Sequence, residues 1–443
     1  MTIKLGGGQG FYGDGIGPVA DVLDAGVDYL ICEALAELTL AILQKDRQRD
    51  ETLGYTRDLP RYLEGALPFV LDGRTRFITN AGGINPVAAG RAAVDAARAA
   101  GAGGTGLKIA TVVGDDLRPQ AAQLGLPGAD QALFANAYLG AWPIVDALAA
   151  GAQVVITGRV ADASLFVAPL VHEFGWRRDD WDRLAGGVAI GHLLECSGQV
   201  TGGNYSGRWW DNPDPHHIAF PLAEVEADGT AIITKPKGTG GMVTFDTVRE
   251  QLLYEVHDPA RYLNPDVVAD FTSLTVADLG DDRVHLSGCR GTPAPETYKG
   301  LICTPAGWAG ECRITYTWPD AEAKARAALG YVKARTQAAE VPVDEWWEEY
   351  FGVNGFGGPT VDVPDGWGPP EVTGRLAWRT ATQAAAASPS REVGVLGLSG
   401  PPGISGVGRG GGGARPSQLL AVDPFLVDRS VVDAQVRVDI HEA

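Results

Sequence analysis

One unit of sequence recurs through the first 240 residues and limits the fold more than any other feature: a short apolar run, a glycine or polar turn, then an alanine-rich segment with apolar residues at helical spacing. Repeated strand–turn–helix units of this kind place successive strands parallel, because a helical crossover returns the chain to the same end of the sheet. Ile3–Leu5 runs into Gly6-Gly7-Gly8-Gln9-Gly10 and then a helix from Gly17 to Ala25. Tyr29–Cys32 leads to a helix through Gln44, and Phe77–Thr79 leads through Asn80-Ala81-Gly82-Gly83 to a helix over Pro86–Ala100. Pro86 fits a first helical turn, where its missing N–H costs nothing. Lys108–Val113 exits into Gly114-Asp115-Asp116, and Val154–Thr157 exits into Gly158-Arg159-Val160-Ala161-Asp162. Trp181–Cys196 reads as a further helix, with Leu184, Val188, Gly191 and Glu195 on neighbouring turns.

After that helix the pattern changes. Residues 200–240 carry Gly202-Gly203-Asn204-Tyr205, the turn-rich Asp211–Pro215 and the start of Lys235-Pro236-Lys237-Gly238-Thr239-Gly240-Gly241, and read as loop. Val284–Ser287, Thr297–Cys303 and Glu311–Trp318 alternate in polarity like half-buried antiparallel strands, followed by a helix over Asp320–Gln337. Glu371–Trp378 is another strand, with an alanine-rich helix after it; the stretch Gly394–Arg415 is saturated with glycine and contains Gly410-Gly411-Gly412-Gly413. A length of 443 residues is about two to three domain lengths, so two cores are expected. The expected fold class is α/β: over residues 1–265, a mainly parallel sheet flanked by helices; over 266–443, a smaller α+β two-layer domain with a glycine-rich loop at 394–415.

A formal charge of −19 argues against affinity for nucleic acid, which is held chiefly through Lys and Arg, and against anionic membrane surfaces. The five cysteines, Cys32, Cys196, Cys289, Cys303 and Cys312, are scattered and never spaced as CxxC, so neither a disulfide framework nor a zinc ribbon is signalled. No basic segment with a long apolar run opens the chain, and no run of about 18 apolar residues occurs. A cytoplasmic location is the expectation.

In an open parallel sheet, ligands bind beyond the carboxyl ends of the strands, where several polar clusters of this sequence are expected to meet. Gly8, Gln9 and Gly10, with Asp14 just beyond, lie between a strand and a helix; they read either as an anion-receiving loop or as a tight turn. Asn80, Gly82, Gly83 and Asn85 form a second cluster, Asp115 with Asp116 a third, and Arg159, Asp162 and Ser164 a fourth. Asp115 and Asp162 each also suit a helix N-cap. Arg159 offers a planar fork for carboxylate or phosphate, with pairing to Asp162 as the alternative. His192 and Glu195, at i and i+3, can form a proton-transfer pair; a third metal ligand at matching spacing is missing. Cys196 reads as a buried structural thiol. Asn204 and the loop of Lys235, Lys237, Gly238 and Thr239 offer ammonium and N–H groups to an anionic ligand, or form a solvated hairpin. Arg409 and Arg415 can close over an anion or lie in a flexible loop. No GxSxG elbow, HExxH, kinase set or EF-hand loop is present.

GGGQGFYGD at 6–14, DYLICEALAE at 28–37, FITNAGGINP at 77–86, VVGDDL at 112–117, ITGRVADASL at 156–165, GHLLECSGQVTGGNY at 191–205 and KPKGTGGMV at 235–243 together resemble the acyclic terpene utilisation AtuA family. QLLYEVHDPARYL at 251–263 and the SGPPGISG and GGGGARPSQL segments extend the likeness, while Trp346-Trp347 and Trp367 depart from it. The resemblance implies a place in acyl-CoA pathways that degrade branched isoprenoids or build specialised metabolites. With the residues above, it gives an enzyme acting on an acyl-CoA thioester or polyfunctional carboxylic acid by hydration or dehydration, with Asp162, Glu195, Arg159 and His192 as catalytic groups. Two alternatives stay open: a non-catalytic subunit that binds a CoA ester, and a hydrolase or transferase without a serine elbow. The expected substrate is a small molecule, with no cofactor required, a CoA ester as candidate substrate and a divalent metal left open. A homo-oligomer, and a small partner subunit, complete the expectations.

Overall fold

A computed structural model describes residues 1–355, 368–409 and 415–443, so Trp367 and Gly410–Gly413 lie outside the described residues, as does the Arg409 side chain. The described elements are β1 (Thr2–Gln9), α1 (Gly17–Asp24), β2 (Tyr29–Cys32), α2 (Glu37–Arg49), α3 (Leu59–Leu71), β3 (Arg76–Thr79), α4 (Pro86–Ala97), β4 (Lys108–Val113), β5 (Phe134–Ala137), α5 (Trp142–Ala149), β6 (Val154–Thr157), α6 (Ser164–Phe174) and α7 (Trp181–Leu194). There follow β7 (Leu222–Glu226), β8 (Ala231–Thr234), α8 (Phe245–Leu253), β9 (Tyr262–Leu263), β10 (Val268–Asp270), β11 (Thr275–Asp278), β12 (Val284–Ser287) and β13 (Arg290–Thr292). The rest are β14 (Thr297–Thr317), α9 (Ala321–Ala338), β15 (Glu345–Phe351), β16 (Glu371–Thr380), α10 (Gln383–Ser399), β17 (Ile404–Arg409), β18 (Ser417–Asp428), α11 (Arg429–Asp433) and β19 (Arg437–Glu442). The chain forms two compact units, Met1–Cys303 with Val422–Ala443, and Thr304–Ala421. Among the described residues no helix is long and apolar enough to cross a membrane.

The first unit is built on a mixed sheet in the order β11-β12-β8-β7-β1-β2-β3-β6-β4-β19. Its middle, β1-β2-β3-β6-β4, is parallel, and its strands are buried on both faces as such strands must be. The chain moves one way across the sheet from β1 to β4 and then steps back, inserting β6 between β3 and β4. Because crossovers are right-handed, the reversal moves the helices to the other face. Thus α1, α3 and α4 share one core, with Val22, Leu63 and Ala93, while α5, α6 and α7 share the opposite one, with Leu148, Phe166 and Leu193. The neighbouring strands β3 and β6 therefore send their exits to opposite faces, the topological switch point at which open sheets of this kind place a ligand crevice.

Several expectations are corrected. Gly6, Gly7, Gly8 and Gln9 lie inside β1, and the turn begins only at Gly10. Their absent side chains are a packing requirement: a Cβ on Gly6 would stand 2.3 Å from Val22 Cγ1 and one on Gly8 2.8 Å from Cys32 Sγ. The supposed loop at 200–240 contains the β7–β8 hairpin, which extends the sheet antiparallel beside β1. The two strands expected at Thr297–Cys303 and Glu311–Trp318 are one 21-residue strand, β14. Residues 300–303 of β14 pair with β5 in the first unit, and 308–317 pair with β16 in the second.

In the second unit β15, β16, β14 and β17 form an antiparallel sheet. Leu329 and Val332 of α9 and Val393 and Leu396 of α10 pack on one face of it, giving the expected two-layer α+β arrangement. The tryptophan-rich Trp346-Trp347 lies in β15, which went unassigned in the sequence. The expected glycine-rich loop at 394–415 is instead the end of α10 and the strand β17 over its described part up to 409. Apolar periodicity in 394–399 is diluted by glycine, and packing against the sheet decides its helical state.

Candidate active site

The carboxyl ends of β2, β3, β6 and β4 meet on one rim through side chains rather than through glycine loops. Immediately after β2, the Glu33 side chain turns inward: Oε1 accepts Asn80 Nδ2 at 2.9 Å and the Leu35 backbone N–H at 2.5 Å. Asn80, at the end of β3, in turn accepts the Ala34 N–H at 2.7 Å through Oδ1, so the two loop ends hold each other. Burial and the negative charge of Asp162 keep the Glu33 carboxyl well above the usual carboxylate range, against the opposing pull of Arg159. In the sequence Glu33 follows the apolar run YLIC inside DYLICEALAE, with nothing local to mark it as a site residue.

Arg159 leaves β6 into the crevice and is 2% exposed. Its Nη1 donates to Asp162 Oδ1 at 2.7 Å and to the Leu35 carbonyl at 2.8 Å, and stands 4.0 Å from Glu33 Oε1. The guanidinium lies 4.0 Å above the Tyr138 ring, whose hydroxyl donates to Glu37 Oε1 at 3.0 Å. Burial, which disfavours the cation, is outweighed by Asp162, Tyr138 and Glu33, so Arg159 is held charged. Its two terminal nitrogens are thus engaged by the protein while Nε is buried without a partner, and pairing with Asp162 is what the geometry contains. Asp162 does not cap α6, whose N-cap position is Ala163 without a side-chain bond. Nor does Asp115 cap a helix: its Oδ2 accepts Arg159 N and Asn136 Nδ2, each at 2.8 Å, and burial pushes its carboxyl up to about 7.

The end of α7 lies over the end of β1, since a Cβ on Gly10 would stand 2.8 Å from the Cys196 carbonyl carbon. There His192 Nδ1 and Glu195 Oε1 are 2.9 Å apart and both residues are buried, leaving His192 Nε2 and Glu195 Oε2 unpartnered. Burial and the charges of Asp162 and Glu255 raise Glu195 to about 7, opposed by His192; for His192, the effect of burial is outweighed by Glu195, so both hold protons more firmly than usual. His192 sits 5.4 Å from Tyr262 and 5.7 Å from Phe271, and those rings stack at 4.8 Å, giving the pair an aromatic wall. Glu255 faces this group from a left-handed backbone conformation, φ 58°, uncommon for a glutamate. Cys196 is pushed up by burial and by Glu195 and Glu33, consistent with a structural thiol and not a nucleophile. Among the described residues no group of three metal-binding side chains includes His192 and Glu195.

Other candidates serve the frame. Gln9 donates to Phe11 O at 3.0 Å and to Asp58 Oδ2 at 2.9 Å, Gly10 N donates to Asp14 Oδ2, and Gly13 N donates to Asp58 Oδ2, so these donors of the loop are taken by Asp14 and by Asp58 at the start of α3. Gly82 and Gly83 carry the β3 exit against β6, where a Cβ on Gly82 would stand 2.4 Å from the Thr157 carbonyl. Asn85 caps α4 by accepting from Ala88 N, and Asn204 occupies a left-handed turn at φ 54°. Ser164, at the start of α6, donates to the buried Asp266 at 2.6 Å. Lys235 donates to the Thr239 carbonyl at 2.8 Å and pairs with Asp282 at 3.2 Å, while Thr239 Oγ1 donates to Pro236 O. Lys237 and Gly238 are exposed beside Lys235 on a groove of about 650 Å³ that Asp21, Asp24 and Arg283 also line.

Three of the four predicted catalytic residues converge electrostatically with Glu33, as Asp162 acts on both Glu33 and Glu195 while Arg159 acts on Glu33. His192 joins them through Glu195. No curated protein and no solved structure matches the chain. The family model described as acyclic terpene utilisation family protein AtuA matches residues 3–438, nearly the whole length, and the chain belongs to that family.

Proposed function

We propose that this protein is a hydratase or dehydratase acting on an acyl-CoA thioester or related polyfunctional carboxylic acid, with Glu195 as the proton-exchanging base. The observation that supports this most directly is the His192–Glu195 pair: buried, 2.9 Å apart, with an unpartnered carboxylate oxygen and a carboxyl raised to about 7. A base works best when its pKa lies near the operating pH, because it is then both available and strong enough to take a proton. Addition or removal of water across a carbon–carbon bond α,β to a thioester needs such a group at the α-carbon. It also needs a proton donor at the departing hydroxyl.

In this reading Arg159 is a positioning residue. It keeps Asp162 and the Leu35 loop in place, and its charge moderates the cluster of acids around it. The His192, Tyr262 and Phe271 wall offers apolar surface to a branched acyl chain. Family membership supports a terpene-derived, branched substrate. The test is incubation with a panel of 3-hydroxyacyl-CoA and enoyl-CoA esters, straight-chain and branched, read by mass spectrometry for gain or loss of one water. Turnover of a branched ester is expected; inertness toward every ester, with no binding by calorimetry, would refute the reading.

A further inference from the structure

We infer that Glu33 is the general acid of this site, donating its proton from Oε2 to the departing hydroxyl of the substrate; this rests on the hydratase reading above. Both donors that reach Glu33, Asn80 Nδ2 at 2.9 Å and Leu35 N at 2.5 Å, point at the same oxygen, Oε1. An oxygen receiving two N–H groups has no room for a proton of its own, so a neutral Glu33 carries its proton on Oε2. Oε2 makes no hydrogen bond to the described protein and, in a residue only 6% exposed, is not among the atoms sealed from solvent, so its O–H has no protein acceptor. The protein has therefore fixed which oxygen is acceptor and which is donor.

Three further observations agree. Burial and Asp162 favour the neutral form of Glu33, while Arg159, at 4.0 Å from the acceptor oxygen, keeps the anion left after donation from being prohibitive. The charged and titratable groups facing Glu33 are Arg159 and Asp162 from the β6 exit, Cys196 beyond α7, and its chain neighbour Cys32. Glu33 and Glu195 both flank the end of β1: the Glu33 N–H donates to the Gln9 carbonyl at 3.0 Å, and the backbone of Cys196, which follows Glu195, lies against Gly10. Glu195 takes the α-proton, the C–H electron pair becomes the new double bond, and the β-carbon–oxygen bond breaks as the Oε2 proton passes to the leaving hydroxyl. Water departs, and the proton on Glu195 returns to Glu33 through solvent.

The experiment uses the full chain and the variants Glu33→Gln and Glu33→Asp, assayed on a 3-hydroxyacyl-CoA and on the matching 3-chloroacyl-CoA, whose chloride leaves without protonation. Glu33→Gln keeps an acceptor for Asn80 and Leu35, so the loops hold. It is expected to lower kcat on the hydroxy ester by about 10²–10³-fold with KM little changed, to spare chloride elimination, and to lose the alkaline limb of the wild-type pH profile. Glu33→Asp is expected to recover part of the hydroxy-ester rate. Independently of turnover, the wild-type minus Glu33→Gln infrared difference spectrum at neutral pH should show the loss of one neutral carboxylic acid carbonyl band. If the wild type dehydrates hydroxy esters but Glu33→Gln slows both leaving groups equally, or no acid band is lost, Glu33 is not the donor and the inference falls alone. If the wild type turns over no ester, the hydratase reading falls and takes it along.

Discussion

Asp115 offers the sharpest quantitative consequence, because its environment is fully enclosed and its partners are known. Burial pushes its carboxyl from 3.8 to about 7, although Arg159 N and Asn136 Nδ2 both donate to Oδ2. A folded pKa above the unfolded one means that the folded state holds the proton more tightly. The stabilisation is complete below the unfolded value near 4 and is lost as pH rises through about 7. With these two values, the linkage relation gives a loss of about 2.5 kcal/mol between pH 5 and pH 8 from this one group. Asp115→Asn presents a carbonyl oxygen to the same two donors and has no charge to bury. Its stability relative to wild type should therefore rise by about 2.5 kcal/mol over that interval. The assay is urea unfolding of both proteins at several pH values, read as the difference in free energy. A difference constant to within about 0.5 kcal/mol across the range would mean that Asp115 is ionised throughout, and the account of its burial would fail.

Two further outcomes concern the frame of the crevice. At Gly158 an added Cβ would stand 2.5 and 2.6 Å from the Asp115 carboxylate oxygens, so Gly158→Ala should cost about 1–3 kcal/mol and weaken the Arg159 N to Asp115 bond, visible as faster amide exchange at Arg159. Asp266 accepts Ala141 N at 2.9 Å and Ser164 Oγ at 2.6 Å, tying the starts of α5 and α6 together; Asp266→Ala should lower stability by about 2–3 kcal/mol in urea unfolding, whereas Ser164→Ala should cost about half as much.

Much of the first unit could be read from the chain alone. The strands β2, β3, β4 and β6 were visible as apolar runs closed by small or polar residues, and the helices after them by their spacing, because both signals are local. What was lost had a shared cause. Glycine is the usual punctuation of turns, so Gly6 to Gln9 read as a turn, but here the glycines let α1 and the end of α7 pack tightly on β1. The β7–β8 hairpin was hidden by the polar stretch around it, and its strand state is conferred by pairing with β1. The final strand β19 pairs with β4 across more than three hundred residues, a contact that no local pattern encodes.

For the site, sequence alone determined which residue types end each strand, and so that Asn80, Asp115, Arg159 and Asp162 would gather at one rim of a parallel sheet. It also placed His192 and Glu195 one helical turn apart. What those groups do to one another depends on how the chain packs. The insertion of β6 between β3 and β4 opened the crevice, burial removed the water that would have screened the charges, and Glu33 was turned inward to meet Asn80. A carboxyl acquires a raised pKa and a single open oxygen from its surroundings and not from its identity, which is why Glu33 could not be singled out before those surroundings were known.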